Sequence, residues 1–345
     1  MRKITRAKIF LLALILLSAS HLLYSQNVSK TGTTAASFLE IGAGAPANSM
    51  GGAFVGLAND ASALYWNVGG IANLNQYEVI LVHTEWIADT KFDYAGLVIP
   101  LGDFGNLGLS FTSLSMEDMK VTTVDQPDGT GENFSASDIS VGISFARKFT
   151  DRFSIGITAK YIQQSIWHMS SSAFAIDAGT IFRTDLLGGM NIGAVMSNFG
   201  TPMRLDGRDT RYFISVDQTK LGSNDRIPTN VELDTWDLPL YFQIGVSAPA
   251  FDYDNYKLTL SADALVPNND YQSLNVGGEF TFMQLFSIRG GYNSLFLKDS
   301  EGGFSFGAGV NSHMLLSSAL VRFDYAFRDF GRLKNVHTFS VGIKF

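Results

Sequence analysis

Residues 139–145 of the chain read Ile139-Ser140-Val141-Gly142-Ile143-Ser144-Phe145. The odd-numbered residues of this stretch are large and apolar, whereas the even-numbered residues are serine or glycine. Because successive side chains of a β-strand point to opposite faces, the pattern predicts a strand with one apolar face and one face of small polar residues. The chain ends in the same rhythm, with Phe339-Ser-Val-Gly-Ile-Lys-Phe345.

About 14 runs of this kind follow one another from residue 77 to the end of the chain. A run of roughly ten residues can cross a membrane at a tilt near 45°, and an even number of strands is typical of single-chain bacterial barrels. A soluble sandwich with outward phenylalanine and isoleucine on nearly every strand would aggregate in water. We therefore predict an all-β fold, a 14-stranded antiparallel transmembrane β-barrel. The runs are 77–84, 91–100, 105–115, 138–147, 152–164, 173–183, 189–198, 240–248, 256–265, 272–282, 286–295, 303–313, 318–328 and 336–345.

The composition of the chain narrows its class further. Charged residues make up 17% of the sequence, whereas about 25% is usual, and glycine (34) and phenylalanine (27) are abundant. The complete lack of cysteine excludes disulfide scaffolds, thiolate metal sites and a cysteine nucleophile. These features are typical neither of a disordered chain nor of a coiled coil.

The first 25 residues have the layout of a secretory signal peptide. Arg2, Lys3, Arg6 and Lys8 precede a short apolar run over 9–19, and a small residue, Ser25, stands at the expected cleavage point. Cleavage there leaves 21 basic residues against 32 acidic ones, a net charge of −11. An acidic mature chain argues against nucleic acid as a partner. We expect the mature protein in the outer membrane of a Gram-negative cell.

The lengths of the connections give the barrel an orientation. Turns of outer-membrane barrels alternate between short periplasmic ones and longer extracellular ones. Both long connections, 116–137 and 199–239, fall on the same, extracellular side. Aromatic and arginine side chains of the second loop are therefore candidate partner-binding residues. They are Phe199, Met203, Arg204, Arg208, Arg211, Tyr212, Phe213 and Trp236.

One hairpin can be predicted residue by residue. If Met283–Leu285 is the turn, Phe280 lies opposite Ile288 and Glu279 lies opposite Arg289. The apolar pair would face lipid, and the Glu279–Arg289 ion pair would face the lumen. The same inner face carries five further charges, Lys160, Asp177, Asp263, Arg322 and Asp324.

Residues 26–76 differ from the rest of the chain, because small residues dominate and no strand alternation appears. We predict a plug, or hatch, of short helices inside or beneath the barrel. Asn59-Asp60 is expected to cap a helix that starts at Ala61, and Asn67 with the following glycines is expected to end it. The hatch motif comprises Gly51, Gly52, Asn59, Asp60, Trp66, Asn67 and Gly70.

Residues 36–41, 47–67 and 70–72 resemble the opening of the PorV/PorQ family of outer-membrane proteins, whose barrels are similar to the fatty acid transporter FadL. The family motif Trp-Asn-Pro-Ala-Gly stands here as Trp66-Asn67-Val68-Gly69-Gly70. The resemblance implies work in the type IX secretion system, where PorV-like members grip the carboxy-terminal signal domain of secreted cargo and PorQ-like members tether a surface partner. The terminal Phe345 matches the assembly signal of many such barrels.

No catalytic or metal site emerges from the sequence. Gly303-Phe-Ser-Phe-Gly307 matches a nucleophile motif, but it lies inside an alternating strand rather than at a strand-to-helix turn. The histidines lack the spacing of a metal pair. We therefore expect no enzyme and no cofactor.

Three hypotheses remain open for the function. The first is a secretion-system component that binds cargo, secretion subunits or surface partners through its extracellular loops. The second is a FadL-like transporter of a hydrophobic small molecule, and the third is a general porin. The predicted lumen face, with glycine, serine, threonine and charges, disfavours a purely apolar tunnel. Outer-membrane lipid surrounds the barrel in every case.

Overall fold

A computed structural model describes residues 30–215, 219, 226–297, 300–316 and 319–345. The predicted signal peptide lies outside these described residues. Fourteen long strands of the described chain, β1 to β14, form one antiparallel sheet, and the two-residue strand Asp206–Gly207 joins its edge by pairing with Met169 and Ser170. In order they are Glu78–Glu85, Lys91–Pro100, Asn106–Ser115, Ala136–Thr150, Phe153–Ile166, Met169–Thr184, Met190–Gly200, Tyr241–Tyr253, Tyr256–Pro267, Ser273–Phe282, Phe286–Leu295, Phe304–Leu316, Ala319–Asp329 and Asn335–Lys344.

The sheet is a closed barrel, because its first strand also pairs with its last. β1 pairs with β2 on one side and with β14 on the other, with Val82 opposite Ser340. The long loops lie at one end of the barrel, here called the outer end. The carboxy terminus lies at the opposite, inner end, where the ring of Phe345 stacks on Tyr77 with 5.6 Å between ring centroids.

Alternation of side chains along the strands sorts the wall into two faces. On β4, Val141, Ile143 and Phe145 are exposed on the outside, whereas Ser140 and Ser144 are buried inside. Outward apolar side chains recur around the barrel and form the band that lipid requires. The predicted fold, a 14-stranded antiparallel barrel, is therefore confirmed.

The predicted β10–β11 hairpin is also correct in register. Phe280 lies opposite Ile288, and Glu279 lies opposite Arg289. The structure departs from the prediction mainly at strand ends, where strands continue past the apolar band. β5 and β6 extend until only Trp167 and His168 connect them, so the predicted eight-residue loop 165–172 is wrong. Outside the lipid zone a strand needs no apolar alternation, so the sequence pattern ends early there.

β8 shows a second departure from the predicted strand ends. The predicted run ends at Ala248, yet the strand continues through Pro249 to Tyr253. The register shifts between Pro249 and Phe251, which marks a β-bulge. A bulge is one of the few places where a strand accepts proline, since the ladder there needs no N–H donor.

The hatch, residues 36–74, lies inside the barrel. It contains a 3-10 turn at Ser37–Glu40, helix α1 at Ala45–Ser49, helix α2 at Ala63–Trp66 and a 3-10 segment at Val68–Asn73. It begins near the outer end, where the Ala36 N–H donates to Gln164 Oε1 (2.8 Å), and it ends where Asn106 Nδ2 donates to the carbonyl of Leu74 (2.6 Å).

None of the helices in the described ranges is long and apolar enough to cross a membrane.

Candidate functional site in the barrel lumen

Glycines on the inner face of the wall let the hatch backbone come very close. A Cβ added at Gly277 would lie 2.4 Å from the carbonyl oxygen of Met50. A Cβ added at Gly291 would lie 2.2 Å from the carbonyl carbon of the same residue. A Cβ at Gly156, Gly193 or Gly245 would likewise lie 2.3–2.8 Å from a backbone atom of the hatch, and a Cβ at Gly108, Gly179 or Gly307 would lie 2.2–2.6 Å from a hatch side chain. Real Cβ atoms do not approach other atoms this closely, so a larger residue at any of these positions would require the hatch or the wall to shift. The glycine-rich inner face thus shapes a socket for the hatch.

Polar side chains of the wall bind the hatch backbone between these glycines. Ser340 Oγ accepts from the Ala45 N–H (2.7 Å), and Asp263 Oδ2 accepts from the Val55 N–H (2.8 Å). The hydroxyls of Ser154, Ser247 and Ser305 donate to hatch carbonyls at 2.8–3.1 Å. A short irregular segment leaves many backbone groups unpaired, and the wall supplies their partners. The small polar face of the strands therefore anchors the hatch.

A chain of ion pairs joins the hatch to the wall near the inner end. Asp60 of the hatch accepts from Arg322 of β13 (2.5 Å), and Arg322 also pairs with Asp324 (2.7 Å). Asp324 in turn binds Arg289 (2.8 Å), which pairs with Glu279 (2.6 Å). Burial alone would raise the pKa of Asp60, but Arg322 and the hydrogen bonds from Ser62 hold that pKa below its usual value of 3.8. Asp60 therefore stays charged.

The predicted capping role of Asn59-Asp60 is wrong. Helix α2 starts at Ala63, and no side chain caps it at Ser62. The Asp60 carboxylate accepts instead from the backbone N–H of Ser62 (2.9 Å) and faces Arg322. Since the helix is only four residues long, it gains little from a cap, whereas Asp60 gains an ion pair.

The other hatch-motif residues fix the hatch to itself and to the wall. Trp66 Nε1 donates to the carbonyl of Ala43 (2.7 Å). Asn67 ends helix α2, and its Nδ2 donates to the carbonyls of Val55 and Thr180 (both 2.9 Å). Gly51 and Gly52 have positive φ angles of 66° and 77°, which favour glycine.

Two further glycines explain why the turn after Asn67 tolerates no side chain. A Cβ at Gly70 would lie 2.4 Å from the carbonyl oxygen of Ala58. A Cβ at Gly69 would lie 2.8 Å from the carbonyl oxygen of Gly179. Gly69, where the chain differs from the PorV/PorQ motif, thus lies close to strand β6.

Above the hatch, towards the outer end, lies a cup of about 110 Å³. Three aromatic residues line it, Tyr65 and Trp66 of the hatch and Tyr241 of β8. Burial raises the pKa of Tyr65 well above its usual range, and its hydroxyl donates to the carbonyl of Leu39 (2.8 Å), so it stays neutral. The remaining lining residues are Glu40, Gly42, Asn48, Gly51, Gly52, Gln243, Leu265, Pro267, Asn275, Asn293 and Arg328.

A second cavity of about 150 Å³ lies on the inner side of the hatch, beside the ion-pair chain. Asp60, Glu279, Arg289 and Arg322 line it. The cup and the inner cavity are separated by an apolar cluster of hatch residues, Ala47, Met50, Phe54 and Trp66. The rings of Phe54 and Trp66 meet edge to face with 6.4 Å between centroids. Trp66 of this cluster lines the cup and Phe54 lines the inner cavity, so the cluster lies between the two.

The second long loop, which connects β7 and β8, divides into a buried part and an exposed part. Met203, a predicted partner-binding residue, is only 1% exposed and packs in the core with Phe38 and Leu238. That prediction is wrong for Met203, because the side chain anchors the loop over the hatch. Trp236 pairs with Met203 in an isolated antiparallel β-bridge, and the Trp236 side chain is exposed.

The other predicted loop residues lie around the outer rim. Phe199 belongs to strand β7 and is exposed on the outer face of the wall, opposite Ile176. Arg204 pairs with Glu232, and Arg208 Nη2 contacts the ring of His168 (2.8 Å). Arg211, Tyr212 and Phe213 lie on a small hairpin, Arg211–Ile214 paired with Ile227–Asn230, and Phe213 is 72% exposed.

The structure also assigns positions to residues that the sequence interpretation missed. Tyr65, Tyr241 and Arg328 line the cup, yet none was predicted as a site residue. Arg328 has the same lumen-facing parity on β13 as Arg322 and Asp324, so the strand pattern contained a signal for it. Among the described residues, no group of three or more histidine, aspartate or glutamate side chains is arranged to hold a metal ion.

Comparisons with known proteins give one family match and several structural matches. A sequence model of the family described as Uncharacterised protein family (UPF0164) matches residues 16–182. No curated protein matches the chain in sequence. The toluene transporter TodX of Pseudomonas putida superposes with a TM-score of 0.55 at 11% identity, covering 88% of this chain and 97% of TodX. The toluene transporter TbuX of Ralstonia pickettii gives 0.52 at 10% identity, with coverage of 88% and 97%.

These observations define the class of the protein. It is a closed, 14-stranded antiparallel β-barrel with an apolar outer band, of the kind found in the Gram-negative outer membrane, and its lumen holds an internal hatch. At such low identity the likeness to TodX and TbuX extends to the fold alone.

Proposed function

We propose that the protein carries a small, partly apolar molecule across the outer membrane and that this molecule binds first in the outer cup. The observation that supports the proposal is the lining of the cup. Three aromatic rings and a few polar groups converge there, which is the usual composition of small-molecule sites. TodX and TbuX, which share the fold, are toluene transporters.

Transport in this proposal is a binding and gating process without covalent chemistry. The molecule leaves the cup when the cluster around Phe54 and Trp66 shifts, and it then enters the polar inner cavity. The protein is accordingly proposed to be neither an enzyme nor dependent on a cofactor. Outer-membrane lipid is its surrounding partner, and nucleic acid is not a partner.

A tagged full-length chain, extracted from its native outer membrane, tests this proposal. Bound small molecules and bound proteins are identified together by mass spectrometry. Recovery of the barrel with one stoichiometric small molecule is the expected result. The barrel could instead be recovered without a small molecule and together with secreted proteins that share a carboxy-terminal domain, or with type IX secretion subunits. That result would overturn the transport proposal in favour of the second candidate function.

That second candidate is binding of cargo or surface partners in the manner of the PorV/PorQ family. The observation that favours it is the apolar surface of the Arg211–Ile214 hairpin, where Tyr212, Phe213 and Ile214 are all exposed. Exposed apolar patches often mark protein interfaces. Phe213→Ser combined with Ile214→Ser is expected to abolish partner recovery without changing barrel stability. Val124→Ser, at a 99% exposed position in the other long loop, is the matched control.

A further inference from the structure

Arg328 is a cation without an anionic partner at the edge of the outer cup. No carboxylate among the described residues pairs with it, and its Nε and Nη2 atoms are shielded from solvent without a hydrogen-bond partner. Its Cζ lies 5.2 Å from the ring centroid of Trp86 and 5.3 Å from that of Phe330. The two rings therefore hold the guanidinium by cation–π contacts and leave its hydrogen-bonding capacity unused.

Two other arginines of the lumen face each pair with two carboxylates. Arg289 binds Glu279 and Asp324, and Arg322 binds Asp60 and Asp324. A guanidinium carries five N–H donors, and leaving buried donors unpaired is costly. The wall and the hatch thus supply carboxylates for two arginines, whereas two residues of the outer connections, Trp86 and Phe330, supply aromatic rings for the third. The missing anion must come from outside the described chain.

We propose that the outer cup binds a compact organic anion and that Arg328 anchors its carboxylate, sulfonate or phosphate-ester group. The proposal rests on the function given above and names the substrate class for that same site. Tyr65, Trp66 and Tyr241 contact the organic part, since they form the aromatic wall of the cup. Glu40, which also lines the cup, disfavours a second negative charge on the ligand.

The size of the cup limits the organic part of the ligand. Its volume is about 110 Å³, and an engineered cavity of about 150 Å³ in another protein accepts one benzene molecule. The cup is smaller than that closed cavity, so it encloses the headgroup and only part of a single ring or short chain, and the rest of the ligand projects through the open side of the cup. An uncharged hydrocarbon fills the same space but leaves Arg328 unpaired.

Benzoate and its uncharged analogue benzamide are suitable probes for this site. Binding to the full-length chain in detergent is followed by tryptophan fluorescence, because Trp66 lines the cup, and is confirmed by calorimetry. Benzoate is expected to bind at least tenfold more tightly than benzamide, since charge-assisted hydrogen bonds to arginine are the stronger kind. Equal affinity for the two probes would overturn the proposal.

Variants of Arg328 show whether this residue carries the preference. Arg328→Met should weaken benzoate binding at least tenfold and leave benzamide binding within about twofold, and Arg328→Lys should restore part of the loss. Arg332→Met, at an 87% exposed side chain outside the cup, should change neither. Unchanged benzoate affinity in Arg328→Met would contradict the assignment. Inorganic phosphate should compete weakly, and competition equal to that of benzoate would exclude an organic ligand.

A stability measurement separates a binding role from a structural one. Arg328→Met should unfold at a temperature close to the wild type, whereas Arg322→Met, which breaks paired charges, should unfold at a clearly lower temperature. Equal losses in the two variants would show that Arg328 is structural.

The two proposals can also fail separately. Uptake without preference for anions overturns only this inference, and Arg328-dependent binding without uptake overturns only the transport function.

Discussion

Arg322 and Arg328 lie six residues apart on the lumen face of β13, yet their surroundings differ in kind. Arg322 contacts two carboxylates, one from the hatch and one from its own strand. Arg328 contacts two aromatic rings. A buried ion pair is strongly destabilised when one partner is removed, because the other charge stays buried and uncompensated. The first arginine therefore belongs to the attachment of the hatch, and the second is available to a ligand.

Replacement of Asp60 by asparagine should weaken this attachment. It removes one carboxylate from Arg322, so the free energy of unfolding should fall by about 3 kcal/mol. Urea titration of the barrel in detergent or lipid measures the change. Asp118→Asn, in the exposed loop 116–137, is the control. A loss no larger than the roughly 0.5 kcal/mol of an ordinary surface substitution would contradict the prediction.

The same ion pair predicts how hatch attachment depends on pH. The pKa of Asp60 lies below its ordinary value of 3.8 in the folded state. A lowered folded pKa contributes stability that is present above the ordinary value and is lost as the pH falls through the lowered one. The stability that Asp60 contributes should thus be constant between pH 7 and about pH 5, and the difference in unfolding free energy between the wild type and Asp60→Asn should shrink progressively in stronger acid.

Glu40 gives the cup a different pH dependence. Burial raises the pKa of Glu40 above its ordinary value of 4.5, and the nearby charge of Asp270 raises it further. The hydrogen bond from Asn269 lowers the pKa, but it does not cancel the effect of burial. Tyr65, Tyr241 and Arg328 are the other titratable groups that line the cup. As the pH falls through the raised pKa, Glu40 loses its negative charge, so an anion should bind more tightly.

Benzenesulfonate is the probe for this effect, because it stays ionised over the whole range. Its affinity in the wild type should rise as the pH falls from 7 towards 4.5, the ordinary pKa that Glu40 exceeds. In Glu40→Gln the affinity should be high at pH 7 and nearly constant. A wild-type affinity that does not change with pH, or a Glu40→Gln profile that matches the wild type, would contradict the prediction.

Among the structural elements, the contact between hatch and wall depends on glycine at defined positions. Gly290 and Gly291 are neighbours on β11 and face opposite sides of the wall. A Cβ at Gly291 would lie 2.2 Å from Met50, whereas a Cβ at Gly290 would meet nothing closer than 3.9 Å. The same substitution at these two positions therefore tests the hatch contact alone.

Gly291→Ala should lower the free energy of unfolding by about 2 kcal/mol, the typical effect of overpacking a filled interior. Gly290→Ala should change it by less than about 0.5 kcal/mol. Chemical denaturation of both variants in the same detergent gives the comparison. Similar effects at the two positions would mean that the hatch does not press against the wall at Gly291.

Strands and hatch differ in how far the sequence predicts them. Alternation on β4 and on β10–β11 predicts both the strand and the register, because lipid outside and a crowded lumen inside impose a two-residue period. The position of Asp60 is not predictable in this way. Its partner Arg322 is 262 residues away in sequence, and only the closed barrel brings the two together. The burial of Met203 is not predictable from the local sequence either, because it depends on hatch residues such as Phe38, which are distant along the chain.

For the molecule as a whole, the hatch decides whether the lumen conducts. The apolar cluster around Phe54 and Trp66 lies between the outer cup and the inner cavity, and the glycines of the wall leave little room beside it. Barrels of 16 to 18 strands without a plug enclose an aqueous channel, and a 14-stranded barrel approaches that size. Removal of the hatch should thus convert a closed barrel into an open one.

Single-channel recording in planar bilayers tests this expectation. The wild type should show no sustained conductance steps, and a variant that lacks residues 36–74 should show large ones. Deletion of 122–131 from the other long loop, which leaves the hatch intact, should behave like the wild type. If the hatch deletion does not insert, Asp60→Asn keeps every wall residue and should show intermittent openings. Sustained large steps in the wild type would instead indicate an open polar path, and the protein would then act as a general porin.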